Sequence, residues 1–361
     1  MNHAGNPSAA ASARSREEIL AWIVTELARE LRVPPGSLDT AAPLFSLGAS
    51  SLNAITITGA LSEWLGRELD ATLMWDHPTI DAIADSLSTS DSGPGALPPG
   101  IIVLHAGGRL TPLFCFPGAG GHSTSFAPMA ARIGSDRPVY GLSVPGINGE
   151  RAPFTSVEEI AAEMLTTIRR VQPDGPYQLA AYSFGGLLAY EVAQRLRAAG
   201  ESVSVLAIYD TFTSAGLVLR PRWQRIALHA YLLATKPGRR DYVRKQIKRR
   251  RTERQHLDFL RREAQSPGET RSRIGAEVEI ANYQASGNYV PGPYGGSIVL
   301  FQPAARAIEH VFYKIERTTN GWGALAPGRV STVELPGSHR TMLDPEHAEV
   351  VAERLRPFLS R

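Results

Sequence analysis

The run Tyr177-Gln178-Leu179-Ala180-Ala181-Tyr182-Ser183-Phe184-Gly185-Gly186-Leu187-Leu188-Ala189 sets a serine between an apolar strand pattern and the start of an apolar helix. A strand-to-helix turn this tight is a nucleophile elbow: it forces the serine into a strained backbone conformation and needs small neighbours, supplied by Ala181, Gly185 and Gly186. It lifts the hydroxyl off the sheet toward the amides of the following helix, which can stabilise the oxyanion formed when a carbonyl is attacked. The chemistry proposed is covalent acyl transfer. The plain alternative is a serine in a glycine-rich βα turn, so the motif needs partners: a base to take the hydroxyl proton and an acid to orient that base. Nine histidines compete for the first role.

The elements that must position these groups are legible as alternating patterns. Apolar strands at 101–104, 113–116, 139–142, 177–180, 203–209, 298–301 and 330–335 alternate with helical periodicity at 157–171, 187–199 and toward Leu359. This order predicts a mostly parallel sheet covered by helices on both faces. The 361 residues exceed one typical domain, and 43% apolar with 20% charged residues is the composition of a globular protein. Cys115 is the only cysteine and lies in an apolar strand, so a disulfide framework is excluded and buried packing is expected. No apolar run approaches the roughly 20 residues of a membrane span, and a cytoplasmic setting is expected. Residues 1–15 read as a disordered leader and 89–100, rich in Ser, Gly and Pro, as a flexible linker.

Ahead of that linker, Ile19, Leu20, Ile23, Val24, Leu27 and Leu31 keep to one helical face that Pro34-Pro35 ends. A second helix is expected from about Ser51, with Leu52, Ile55, Ala60 and Leu61 available to pack, and a last one from Pro78-Thr79 to Leu87. Leu47-Gly48-x-x-Ser51-Leu52 and Thr72-Leu73-Met74-Trp75-Asp76-His77-Pro78-Thr79-Ile80 resemble acyl carrier domains of modular polyketide synthases, over residues 16–88. The resemblance implies a small all-α four-helix carrier bundle with 4′-phosphopantetheine on Ser51, attached by a phosphopantetheinyl transferase. Ser50 stands where polyketide carriers usually have Asp and peptidyl carriers often His, so the carrier type stays open and Ser50 is a second acceptor candidate. Without the cofactor, Ser51 would be an ordinary N-cap.

Residues 101–361, with the elbow in the middle, resemble the α/β-hydrolase fold, in particular the thioesterase domains that end polyketide and nonribosomal peptide synthases. In that fold the base follows the last strand, and Val330 to Leu335 followed by Pro336-Gly337-Ser338-His339 fits, with His347 as runner-up and His310 in an expected helix. The acid follows either the strand after the elbow or the next one. Tyr209-Asp210 offers an aspartate at the first place and Gln302-Pro303 none at the second, so the candidate set is Ser183, Asp210 and His339. The oxyanion donors expected are the amide of Phe184 and one from Phe116-Pro117-Gly118-Ala119-Gly120-Gly121, at Ala119 or Gly118. A nucleotide loop is a poor rival there because the Lys-Ser/Thr ending is absent.

Residues 213–290 form the expected helical lid, with helical patterns at Trp223 to Leu233 and Tyr242 to Phe259. Tyr231, Leu232, Phe259 and Leu260 either line an acyl channel or pack the lid. Residues 1–90 hold five arginines, no lysine and eleven acids, whereas 236–263 hold twelve Lys/Arg against four acids. The basic run reads as a solvated helix face rather than a nucleic-acid surface, with docking of the acidic carrier or an anionic substrate as the functional alternative. The expectation is a chain-releasing carrier-thioesterase of polyketide or mixed polyketide/peptide biosynthesis. It would be served by upstream synthase modules or acyl donor enzymes, and end in hydrolysis or cyclisation. A serine esterase with an accessory carrier and a non-catalytic docking module are the two rivals.

Overall fold

The computed structural model describes residues 14–359 except 45, 46, 50, 66–68, 70–72, 78, 89–96, 215, 216, 220, 236–257, 265–269, 306–312 and 317. Ser50, His310, Lys245 to Arg251 and most of the leader and linker therefore lie outside the described residues. The chain divides into two units, Met1–Leu97 and Pro98–Arg361.

In the first unit, helices α1 (Arg16–Leu31), α2 (Ser51–Leu65), α3 (Leu73–Asp76) and α4 (Ile80–Ser88) enclose one apolar core. Helical periodicity stacks Ile19, Ile23 and Leu27 on one face of α1, and all three are fully buried in a cluster with Ile57, Leu61, Ile80 and Ile83. Ser15 and Glu18 form a reciprocal capping box at the start of α1, and Arg32, in the left-handed conformation, ends it. The Arg16 guanidinium ties α1 to Asp81 and Asp85 of α4. On α2 the packed positions are Ile57 and Leu61; Ala60 is half-buried, and the side chains of Leu52 and Ile55 lie outside the described residues.

The second unit is built on strands β1 (Ile101–His105), β2 (Leu113–Phe116), β3 (Val139–Leu142), β4 (Tyr177–Tyr182) and β5 (Val203–Tyr209). The short pair β6 (Leu217–Leu219) and β8 (Tyr313–Ile315) forms a separate antiparallel ribbon, while β7 (Ile298–Ala305) and β9 (Val330–Ser338) complete the main sheet. The seven strands lie in the order β1-β3-β2-β4-β5-β7-β9, parallel except at β1. Alternation splits each strand between two cores. Phe114, Phe116, Leu179, Ala181, Leu206 and Ile208 share one with helices α6 (Val157–Val171) and α7 (Gly185–Ala198). Leu113, Cys115, Ala180, Val205 and Ala207 share the other with α5 (Ala127–Ala130) and the C-terminal helix. Cys115 is fully buried, and burial pushes its thiol well above the ordinary range.

The sheet register carries the site. Tyr182 pairs with Tyr209 and Tyr209 with Phe301, so β4 and β5 end side by side, while β7 runs on from Phe301 to Ala305 with β9 on its far side. Residues just past these carboxyl ends are thus placed along one edge, where α/β folds gather functional groups. The insertion after β5 holds α8 (Arg222–Thr235), a helical stretch at 258–264 and α9 (Thr270–Asn288), followed after β8 by the short α10 (Trp322–Leu325). The C-terminal helix, α11 (Ala348–Leu355), follows β9.

Candidate active site

Ser183 occupies φ 54°, a left-handed conformation that a non-glycine residue adopts at a cost of about 1–3 kcal/mol. The fold over-determines that conformation. The Ser183 N–H donates to the Tyr209 carbonyl at 3.0 Å, while the Ser183 carbonyl accepts from the Thr211 hydroxyl at 2.6 Å and from the Gly186 N–H at 3.0 Å. The glycines after it are required by close approach. A Cβ on Gly185 would stand 2.5 Å from the Pro117 carbonyl oxygen, and one on Gly186 would stand 2.2 Å from the Thr211 hydroxyl oxygen.

The Ser183 hydroxyl lies 3.1 Å from His339 Nε2, and His339 Nδ1 lies 2.8 Å from Asp210 Oδ2. The second contact fixes the tautomer, because an ionised carboxylate can only accept: Nδ1 carries the proton and Nε2 is left to accept from Ser183. Asp210 is nearly buried, with its side chain 10% exposed, whereas that of His339 is 43% exposed. Asp210 sits at the end of β5 with φ 47°, its N–H donating to the Phe301 carbonyl at 2.8 Å. His339 directly follows β9, in a turn closed by the Thr341 N–H to the Ser338 carbonyl at 3.0 Å. His347 lies in a separate turn, with its Nε2 3.3 Å from Glu346, and touches neither Ser183 nor Asp210.

The loop after β2 abuts the elbow, since a Cβ on Gly118 would meet the Tyr182 ring at 3.3 Å and the Ser183 Cβ at 3.9 Å. None of the N–H groups of Gly118, Ala119 and Phe184 donates to a described residue. Behind this loop, Asn282 of α9 donates to the Ala119 carbonyl at 2.8 Å and is 1% exposed. Sequence reasoning missed α9 and Asn282, because the buried face of α9 consists of small residues such as Ala281 and Ala285 with Val278. In the remainder of the insertion Leu260 is buried, Tyr231 and Phe259 are more than half exposed, and the Leu232 side chain lies outside the described residues.

Further residues missed by the sequence surround the triad. Tyr182 stacks on His339, and burial together with the negative Asp210 pushes its phenol up to about 12, so it stays a neutral donor. Asn320 donates to Asp210 Oδ1 at 3.4 Å, and Gln302 donates to the Asn320 side-chain oxygen at 3.0 Å. The turn dipeptide Asn320-Gly321 and a polar residue closing an apolar strand were the available signals. A cavity of about 260 Å³ beside Val144, Ile147 and Met164 on the α6 side includes none of these groups.

In the first unit, α2 begins at Ser51, after Gly48 turns the chain at φ 98°. The dipole of a 15-residue helix suits a phosphate esterified to its first residue. The side chain of Ser51 lies outside the described residues. Among the described residues no helix is long and apolar enough to cross a membrane.

Comparison with known proteins agrees with this architecture. The thioesterase domain family matches residues 111–359, and the phosphopantetheine attachment site family matches 21–87. A dimodular nonribosomal peptide synthase of Bacillus subtilis is 28% identical over 342 residues, 92% of this chain and 14% of its own length. Indigoidine synthase of Dickeya dadantii is 35% identical over 162 residues, 45% of this chain and 11% of its own length. The chain spans 2–22% of the length of the first eight curated relatives that it matches. A solved four-domain nonribosomal peptide synthetase bound to AMP and glycine shares the fold, with TM-score 0.57 and 21% identity, covering 99% of this chain and 27% of that one. Carrier domains of this kind hold 4′-phosphopantetheine covalently on a serine. The chain belongs to the thioesterase domain family, with an α/β-hydrolase unit preceded by a phosphopantetheine carrier domain.

Proposed function

We propose that this chain releases acyl groups carried on its own N-terminal domain, with Ser183 as nucleophile, His339 as base and Asp210 as the acid that orients it. The observation that carries the reading is the continuous contact from Ser183 through His339 to Asp210, at 3.1 and 2.8 Å. The phosphopantetheine on Ser51 supplies the thiol that presents the acyl group as a thioester. Ser183 Oγ bonds to the thioester carbonyl carbon while its proton passes to His339 Nε2. The N–H groups of Phe184 and Ala119 hold the oxyanion, with Gly118 as the adjoining donor. Collapse breaks the C–S bond, and the departing sulfur takes the proton from His339. In the second half His339 removes a proton from water, or from a nucleophile on the chain being released, that oxygen or nitrogen bonds to the acyl carbon, and Ser183 Oγ leaves with the proton returned from His339. The steps up to the acyl-serine are shared by hydrolysis and cyclisation.

The carrier unit of this reading is 16–88, joined by 89–100 to the thioesterase unit of 101–361, with 213–290 as lid. The matched dimodular nonribosomal peptide synthase supports upstream synthase modules as the acyl source. Acyl loading of the full chain by a phosphopantetheinyl transferase and an acyl-coenzyme A, followed by intact-mass measurement, tests the reading. Wild type is expected to clear the acyl group, Ser183→Ala to retain it on the carrier, and Ser51→Ala to remain unloaded. Clearance by Ser183→Ala at the wild-type rate overturns the assignment of the nucleophile.

A further inference from the structure

The loop between β8 and α10 is fastened to the segment that carries Asp210. The Thr213 N–H donates to the Asn320 carbonyl at 3.0 Å, the Trp322 indole N–H donates to the Thr211 carbonyl at 2.9 Å, and the Asn320 amide reaches Asp210 Oδ1. The loop is held from its other side by Glu316. That carboxylate accepts from the Thr318 N–H at 2.7 Å, from the Gly321 N–H at 3.0 Å and from the Thr319 hydroxyl at 2.6 Å. Asn320 takes φ 53°, a conformation that Asn tolerates better than most residues, and is 2% exposed.

The orientation of the Asn320 amide is settled by its neighbours. Gln302 lies on β7 directly after Phe301, the register partner of Tyr209, and so stands beside Asp210 at the sheet edge. It is 3% exposed, and its NH₂ group donates to the Asn320 oxygen. The Asn320 NH₂ therefore faces the carboxylate, and the reverse orientation would set oxygen against oxygen on one side and NH₂ against NH₂ on the other.

On the reading that Asp210 is the acid of the site, we infer that Asn320 is its positioning residue, locked by Gln302. Asp210 Oδ1 is held by Asn320, so Oδ2 is presented to His339 in the one geometry that keeps the imidazole proton on Nδ1. Gln302 of β7 thereby acts on Asp210 through Asn320, without contributing an acid of its own.

The test uses the full chain with octanoyl N-acetylcysteamine thioester as substrate, and proton NMR of the downfield His339 Nδ1–H resonance as a readout independent of turnover. Asn320→Gly keeps the left-handed backbone and removes the amide. It is expected to lower kcat about tenfold to a hundredfold, the size of a hydrogen bond to a charged group, with little change in KM, and to shift or broaden the resonance. Gln302→Met frees the amide to rotate and is expected to give a smaller loss of the same kind. In the Asn320→Gly background Gln302→Met should add nothing, because its effect passes through Asn320. Should Asn320→Gly fail to fold, the resonance and kcat of Gln302→Met alone decide. The proposal is overturned by variants that keep the wild-type kcat and resonance, or by two losses that simply multiply. Asp210→Ala run alongside separates the two levels. If it leaves turnover intact, the reading of the acid fails and the proposal with it; if it abolishes turnover while Asn320→Gly and Gln302→Met match wild type, only the proposal fails.

Discussion

Tyr182 stacks on His339 with ring centroids 5.2 Å apart and planes inclined by 26°, and its hydroxyl donates to the His339 carbonyl at 2.6 Å. One residue thus holds both the ring and the backbone of the histidine, and it immediately precedes Ser183, so nucleophile and base are tied through adjacent positions of one strand end. Tyr182→Phe keeps the stack and loses one hydrogen bond, for which about 1 kcal/mol, or roughly fivefold in kcat, is expected. Tyr182→Ala loses both and should fall well below it. Steady-state kinetics on a model thioester check the order; equal rates for the two variants would show that the stack does not position His339.

Asn282 links the insertion to the loop beside the elbow. Its side chain is buried and donates to the Ala119 carbonyl at 2.8 Å. Asn282→Leu deletes that donor and leaves a part-buried carbonyl unpaired, for which about 1 kcal/mol is expected. Because the Ala119 N–H is the proposed oxyanion donor, kcat should fall while labelling of Ser183 by a fluorophosphonate slows in parallel. A variant that lost thermal stability and kept the wild-type labelling rate would confine Asn282 to packing.

Ser183, Asp210 and His339 were legible as candidates because each follows an apolar strand run, and parallel strands in register bring such ends together. The elbow also has a local marker, glycines that the backbone geometry requires. Asn282 has none, and Asn320 has only the turn dipeptide Asn320-Gly321, which says nothing of its partner, since Ala119 and Asp210 lie 163 and 110 positions away in sequence. The ribbon of β6 and β8 was missed for the same reason: two three-residue strands far apart in sequence carry no period. In α9 the buried stripe of Ala and Val is too weak a pattern to set against its charged residues. Gln302 was read only as a missing acid, and its amide became meaningful once Asn320 was seen beside it.

Glu316 gives a pH dependence whose sign follows from its partners. Burial alone would raise its carboxyl. The Thr319 hydroxyl and the amides of Gly321, Thr319 and Thr318 outweigh that and hold it at about 2, against an ordinary 4.5. A group depressed in the folded state contributes stability that is fully present above its unfolded value and is lost as pH falls through the folded one. The stability advantage of wild type over Glu316→Gln should accordingly be constant above about pH 4.5 and shrink toward pH 2. Urea unfolding of both proteins at pH 7, 4 and 3 measures it, and an advantage that grew on acidification would refute the cage.

The two glycines after the nucleophile fail differently when filled. In Gly185→Ala the new Cβ meets backbone, the carbonyl oxygens of Pro117 at 2.5 Å and Phe116 at 2.7 Å, and neither can rotate away. Relief has to come from moving α7 away from the loop that carries Ala119, and overpacking of this kind costs about 1–3 kcal/mol. In Gly186→Ala the clash is with the side chain of Thr211, whose hydroxyl also holds the Ser183 carbonyl. Turning that threonine moves its hydroxyl but not its Cβ, which would stand 2.7 Å from the new methyl, so the segment after β5 has to shift as well and the elbow loosens. Both variants are therefore expected to lower the unfolding midpoint. Gly186→Ala should in addition slow fluorophosphonate labelling of Ser183 about tenfold, in keeping with the lost Thr211 hydrogen bond. If Gly186→Ala labelled at the wild-type rate, the Thr211 bond to the elbow would have no part in holding Ser183 in its left-handed conformation.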